Sequence, residues 1–136
     1  MQIEFFLPMI PPTITHQQKQ VHVVHGKPVF YEPAELKAAR SLFTDAVGRY
    51  APQVPFDGPV QLITKWIWEE GYTGQMSFTD VWRWKTTKPD TDNMIKLLKD
   101  CMTRVGFWKD DSQVASEIIE KFLADKPGIY VKVVEL

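Results

Sequence analysis

Lys88-Pro-Asp-Thr-Asp-Asn-Met-Ile-Lys-Leu-Leu-Lys-Asp-Cys-Met-Thr-Arg-Val-Gly106 is the stretch on which the fold turns. Between Thr91 and Val105 it holds no Gly or Pro, and Ile95, Leu98, Met102 and Val105 recur at helical spacing, so an amphipathic helix is predicted there. Asp90 follows a proline and precedes the apolar run, which makes it a natural N-cap. Asp92 falls in the first turn, where the helix dipole favours negative charge. Just beyond the helix, Trp108-Lys109-Asp110-Asp111-Ser112-Gln113 brings two more carboxylates. Acids at both ends of one helix form a cluster of the kind that usually holds a metal.

Outward from this helix, Gln2 to Met9 is apolar and aromatic enough for a strand, which Pro8, Pro11 and Pro12 end. Lys19 to Val24 and Lys27 to Tyr31 flank His25-Gly26, a two-residue turn signal that predicts a hairpin. Pro33 to Tyr50 reads as a second helix with Leu36, Ala39, Phe43 and Val47 on one face. From Val60 to Trp68 the chain is apolar on both faces at several positions, as a strand in a sheet interior would be. Residues 70–88 read as a loop or an extra hairpin, with a short strand around Val81 to Lys85 leading into the aspartates. Val114 to Leu123 and Ile129 to Leu136 flank Asp125-Lys-Pro-Gly128 and predict a terminal hairpin. The order βββαβ(β)αββ implies a single α+β domain over residues 1–136, a mixed sheet packed against two main helices, and not a doubly wound fold.

Length and charge agree with one domain. The chain has 136 residues, 44% of them hydrophobic, which suffices for one core. Its net charge of −1 does not announce a polyanion partner. Locally the balance differs: residues 83–109 hold seven Lys and Arg against three Asp. A basic frame around acids suits a polyanion whose reacting group sits on a metal. The one cysteine, Cys101, reads as helix packing in a reducing compartment. No stretch approaches the roughly 18 apolar residues of a membrane span, so a cytoplasmic protein is expected.

Magnesium takes oxygen ligands, often one or two carboxylates with water and phosphate oxygens, and Asp90, Asp92 and Asp111 would suit it. An EF-hand starting at Asp90 is excluded, since Met94, Ile95 and Cys101 stand where an oxygen ligand, glycine and glutamate are needed. Asp90 and Asp92 would equally serve as a cap and a first-turn acid without any metal. Lys96 has two readings. It is one member of a solvated stripe with Asp92 and Asp100, or a cation able to offset charge on a transferring phosphoryl group. Trp82 and Trp84 could stack on unpaired bases, although tryptophan in a strand is more often core. Phe107 and Trp108 read as core anchors for the Asp110-Asp111 turn. His16, His22 and His25 make no credible zinc set.

The combination of D-x-D-N at the helix start, Lys96 four residues past its second Asp, and W-x-D-D-x-Q at 108–113 resembles the RusA family of Holliday junction resolvases. The first strand, Pro11-Pro12 and the element order extend the resemblance over most of the chain. It implies a RusA-like fold and a homodimeric endonuclease, dependent on Mg²⁺ with Mn²⁺ as an alternative. It further implies that four-way or branched DNA is bound and nicked symmetrically on two strands. By the same resemblance Asp90, Asp92 and Asp111 are metal ligands, Lys96 is an essential cation, and Asp110 matches the acid beside the last ligand. Arg83, Lys85, Lys88 and Lys99 are candidate phosphate-positioning cations. Three features depart from the family: Trp84-Lys-Thr-Thr-Lys-Pro89 replaces an arginine-rich run, Thr13-Ile-Thr-His16 replaces the polar residues that commonly follow the Pro-Pro pair, and residues 71–79 look like an insertion. Competing readings are a non-catalytic branched-DNA binding module and a metal-stabilised protein-interaction domain.

Overall fold

In the computed structural model the elements are β1 (Gln2–Leu7), β2 (Gln20–Val24), β3 (Lys27–Tyr31), α1 (Ala34–Gly48), β4 (Val60–Glu69), β5 (Arg83–Trp84), α2 (Thr91–Val105), a 3-10 turn (Asp111–Gln113), β6 (Val114–Ala124) and β7 (Gly128–Glu135). The structure describes residues 1–13, 20–31, 33–70 and 82–136, with the backbone alone at 20–24 and 29–31. His16, the side chain of His22, Val81 and the 71–79 insertion lie outside the described residues.

Five strands form one mixed sheet in the order β1-β7-β4-β6-β5, and β2 pairs with β3 in a separate hairpin. The hairpin turn is the predicted one, with φ of 51° at His25 and 77° at Gly26. β4 lies inside the sheet as its sequence suggested, antiparallel to β7 and parallel to β6. A parallel pair needs a long crossover, which β5 and α2 supply.

The expected terminal hairpin does not form. β6 and β7 flank β4 on opposite sides instead of pairing with each other. β4 is apolar on both faces, so the middle of the sheet is where it buries most, and strands on both edges satisfy both its hydrogen-bonding ladders. A β6–β7 hairpin would leave one of those ladders open.

Both helices cover one face of the sheet. Leu62, Trp66 and Trp68 of β4, Ile129, Val131 and Val133 of β7, and Phe5 and Leu7 of β1 point into this core. α1 contributes Leu36, Ala39, Phe43 and Val47, the face its periodicity predicted. α2 buries Met94, Ile95, Leu97, Leu98, Cys101 and Met102. This stripe is wider than a single apolar face because the helix meets α1 as well as the sheet. Val105, expected in that stripe, is only half-buried. Burial pushes the Cys101 thiol above its usual range, which fits a packing role. Polar groups inside the core are paired: Trp66 Nε1 donates to Thr64 Oγ1 at 2.8 Å, and Trp68 Nε1 donates to the Pro11 carbonyl at 3.1 Å. The second bond ties the proline segment after β1 to the sheet.

Gly106 ends α2 with φ of 97°, a left-handed conformation from which Phe107 N–H reaches back to the Met102 carbonyl at 3.0 Å. Gly48, by contrast, ends α1 where an added Cβ would meet Val105 Cγ1 at an ordinary 3.6 Å. Gly106→Ala is therefore expected to lower stability by about 1–2 kcal/mol, whereas Gly48→Ala should raise it by up to about 1 kcal/mol. Opposite shifts of the two urea midpoints check this pair.

Candidate active site

The two aspartate segments are each held in place by a specific set of hydrogen bonds. On the first side, Lys121 of β6 donates from Nζ to the carbonyls of Thr87 and Pro89, 2.7 Å each, and Lys85 N–H bonds the Lys121 carbonyl at 3.0 Å. The chain before Asp90, which includes a cis Lys88–Pro89 peptide, is thereby stapled to β6. Asp90 occupies the N-cap, and its carbonyl accepts from Met94 N–H at 3.1 Å. Its carboxylate makes no capping bond and is exposed. The sequence reading of Asp90 as a cap thus holds for the backbone and not for the side chain.

On the second side, Phe107 and Trp108 are buried, as expected of anchors. Trp108 Nε1 donates to Thr103 Oγ1 at 2.7 Å, and Phe56 N–H donates to the Phe107 carbonyl at 2.8 Å. Gln113 is the keystone of the turn between them and β6. Its Oε1 accepts from the N–H groups of Lys109 at 2.9 Å and Asp110 at 3.3 Å, and its Nε2 donates to the carbonyls of Phe56 at 2.9 Å and Gly58 at 3.0 Å. Asp110 completes a capping box by accepting from Ser112 N–H at 2.9 Å. That bond holds its carboxyl below the usual aspartate range. Asp110 is therefore committed to the turn, and Asp111 is the acid the turn presents.

Between these two anchored segments lies a cleft of about 300 Å³. Asp92, Lys96 and Lys99 of α2, Asp111 of the turn and Glu117 of β6 supply its polar walls, with Ile95 and Ile119 among its apolar ones. Of the predicted ligands, Asp92 and Asp111 share the cleft. Asp90, two residues before Asp92, is not among its walls. Among the described residues no three His, Cys, Asp or Glu side chains gather closely enough to hold a metal by themselves. The donor chemistry nonetheless suits Mg²⁺, which commonly binds one or two carboxylates and completes its shell with water and phosphate oxygens.

The cations divide into committed and uncommitted groups. Lys96 makes no ion pair or hydrogen bond among the described residues, and Asp100 faces Arg40 at 3.8 Å, so neither acid of the Asp92–Lys96–Asp100 stripe is paired with Lys96. Lys99 pairs with Glu117 at 3.1 Å, and Arg83 pairs with Glu70. Lys85 donates to Thr87 Oγ1 at 2.8 Å and lies 5.2 Å from the Trp68 ring centre, while Lys88 is exposed. The expectation that Trp82 and Trp84 are core is overturned: they are 47% and 65% exposed, against the ring of Phe122 at the edge of the sheet. Phe122 pairs with Ile67 on the sheet face away from the helices, so no helix covers the two rings that lie on it. His25 sits exposed in its hairpin turn and has no part in the cleft.

Sequence reasoning missed Glu117 and Lys121. The available signal was strand parity, because Glu117, Ile119, Lys121 and Leu123 alternate on the β6 face paired with the inward residues Leu62, Thr64, Trp66 and Trp68 of β4. Charged residues at inward positions of a half-apolar strand require a partner, and both have one.

One protein family, described as endodeoxyribonuclease RusA, matches the chain over residues 9–134, a span that contains every residue of the cleft. The chain belongs to the RusA family of endodeoxyribonucleases. It is 29% identical over 140 residues to the crossover junction endodeoxyribonuclease rusA of Lactococcus phage r1t, covering 99% of this chain and 98% of that protein. It is also 27% identical over 119 residues to the uncharacterized protein YqaN of Bacillus subtilis, covering 82% of each.

Gln113→Ala removes four hydrogen bonds that organise the Asp111 turn, and an expected cost of about 1–3 kcal/mol would be read as a lower urea midpoint. For Asp110 the sign follows from its depressed pKa. Its contribution to stability is full above the unfolded value of 3.8 and is lost as the pH falls through the lower folded value. Titration of its side-chain carboxyl by NMR should accordingly give a midpoint below 3.8.

Proposed function

We propose that this RusA-family chain is a Mg²⁺-dependent endonuclease that resolves Holliday junctions by paired symmetric nicks, with Mn²⁺ able to replace Mg²⁺. The observation that carries the reading is the meeting of Asp92, Asp111 and an uncommitted Lys96 in one cleft. The crossover-junction name of the phage relative, similar over nearly the whole length of both chains, supports the choice of substrate.

Asp92 and Asp111 would hold the metal, with Asp90 as the third carboxylate from the helix start. When bound, such an ion polarises the phosphate and lowers the pKa of a coordinated water. The remaining steps belong to the chain. Lys96, on the next turn of α2 after Asp92, offsets negative charge that builds on the phosphoryl oxygens in the transition state. Lys99 is held against Glu117, so its charge is partly balanced before substrate arrives. Lys88, with Arg83 and Lys85 before it, contacts phosphates and orients the strand without reading bases. The exposed rings of Trp82 and Trp84 offer stacking surfaces to bases unpaired at the junction.

Two symmetric nicks require two cleft copies related by a two-fold axis, hence a homodimer. A branched-DNA binding module without cleavage is the competing reading. Two acids facing a phosphate would weaken a pure binder, so the cleft favours the nuclease.

A labelled four-way junction and a matched linear duplex, each with and without Mg²⁺, test the proposal. Paired symmetric nicks are expected in the junction alone, abolished by EDTA, by Asp92→Asn and by Asp111→Asn. Lys96→Ala should slow cutting by about 10²–10³-fold while junction binding persists. Tight binding without cutting under any divalent metal would leave the binding module in its place.

A further inference from the structure

A second recess of about 420 Å³ shares Asp111 with the cleft and extends along the C-terminal half of α2. Arg104 and Lys109 are its exposed cations, and Arg40, Asp100 and Asp110 complete its charged lining. By formal charge the recess is balanced, but its charges are not equally available. Asp100 faces Arg40 at 3.8 Å, Asp110 is bonded to Ser112 N–H in the capping box, and Asp111 belongs to the cleft. The side chains of Arg104 and Lys109 have no hydrogen-bond or ion-pair partner among the described residues. What the recess offers a ligand is therefore two uncommitted positive charges.

We propose that this recess binds the phosphodiester backbone of the cut strand a few nucleotides from the scissile phosphate, with Arg104 and Lys109 as the contacting cations. The inference rests on the nuclease reading above. A strand cut inside a nuclease must leave the active site on both sides, and Asp111 is the wall that cleft and recess share. Lys96 and Arg104 are eight residues apart on α2, about 12 Å along the helix axis at 1.5 Å per residue. One strand of duplex advances about 3.4 Å per nucleotide. The recess cations thus meet phosphates a few nucleotides from the one beside Lys96, on one side of the cut. A divalent cation is a poor occupant, because Asp110 is engaged in the turn and Arg104 and Lys109 would repel it.

The test uses four-way junctions in which a single phosphate is replaced by a neutral methylphosphonate at successive positions on both sides of the mapped cut. Wild type should bind most weakly when the neutral group lies a few nucleotides away on one side only. Arg104→Ala/Lys109→Ala should weaken junction binding on the order of tenfold and lower the slope of log affinity against log salt by about 2. The methylphosphonate penalty at those positions should vanish in the double variant and persist in Arg49→Ala, an exposed arginine at the end of α1. Thermal unfolding of the double variant should match wild type, since both side chains are exposed. A positional penalty that persists in the double variant overturns the inference, as does an unchanged salt slope or an equal loss in Arg49→Ala. If wild type neither binds nor cuts the junction, the nuclease reading falls and takes this inference with it. If it cuts with no positional penalty, only the inference falls.

Discussion

The parallel pairing of β4 with β6 is the constraint from which the site follows. Two parallel neighbours cannot be joined by a tight turn, so the chain between them has to travel the length of the sheet. Here that return path is α2, and it lies beside β6 over the same core that anchors α1. Its first turn carries Asp90 and Asp92, and the turn that feeds β6 carries Asp111. Residues at opposite ends of a 15-residue helix would ordinarily be far apart. They line one cleft because β6 begins with the Asp111 turn and runs back along the helix to Lys121, which holds the chain before Asp90, so that the space between helix and strand is walled from both ends. Lys121 and Gln113 fix the two sides of that arrangement, one by holding the chain before Asp90, the other by holding the turn before β6.

The turn shows how a local motif divides roles between identical residue types. Asp110 and Asp111 are adjacent, yet one accepts a backbone N–H and the other lines the cleft. The capping bond makes the first acid a structural part whose charge is stabilised locally. Gln113 reads the backbone on both sides of the same turn, which is why an amide serves there: it both accepts and donates, and a carboxylate at that position would lose the bonds to Phe56 and Gly58. The W-x-D-D-x-Q pattern is in this sense mostly a folding signal. A single acid in it, Asp111, lines the cleft.

What the sequence made legible was whatever depended on local periodicity. α2 begins and ends at Thr91 and Val105, as its apolar spacing and flanking residues indicated, and the α1 face of Leu36, Ala39, Phe43 and Val47 is the buried one. The interior place of β4 was readable from apolar residues on both faces. Strand order was not. Two strands joined by Asp125-Lys-Pro-Gly128 look locally like a hairpin, and nothing in that segment records that a third strand takes the place between them. The candidate site was legible in part as a list of residues, without Glu117 and with Asp90 outside the cleft walls, and not as an arrangement. Asp92, Asp111 and Lys96 are in the cleft, but the partner of Lys99 is a glutamate on another strand, and Trp84 is exposed because its register with Phe122 puts it on the sheet face that no helix covers. Such facts depend on tertiary neighbours, which local spacing does not encode.

The edge of β6 links the site to a general hazard of open sheets. β5 pairs with β6 only at Phe122 and Leu123, so among the described residues the strand from Val114 to Glu120 has no ladder partner on that side. A free edge invites pairing with another chain unless charge or cover discourages it. Glu117 and Lys99 put an ion pair there, and α2 lies alongside. The residues that guard the edge therefore also build one wall of the cleft. Closing the edge with a longer β5 would remove the hazard and would also extend that strand along the edge toward the cleft wall formed by Glu117. A short β5 leaves both the edge and the cleft open, and the charged lining of the cleft makes that opening tolerable.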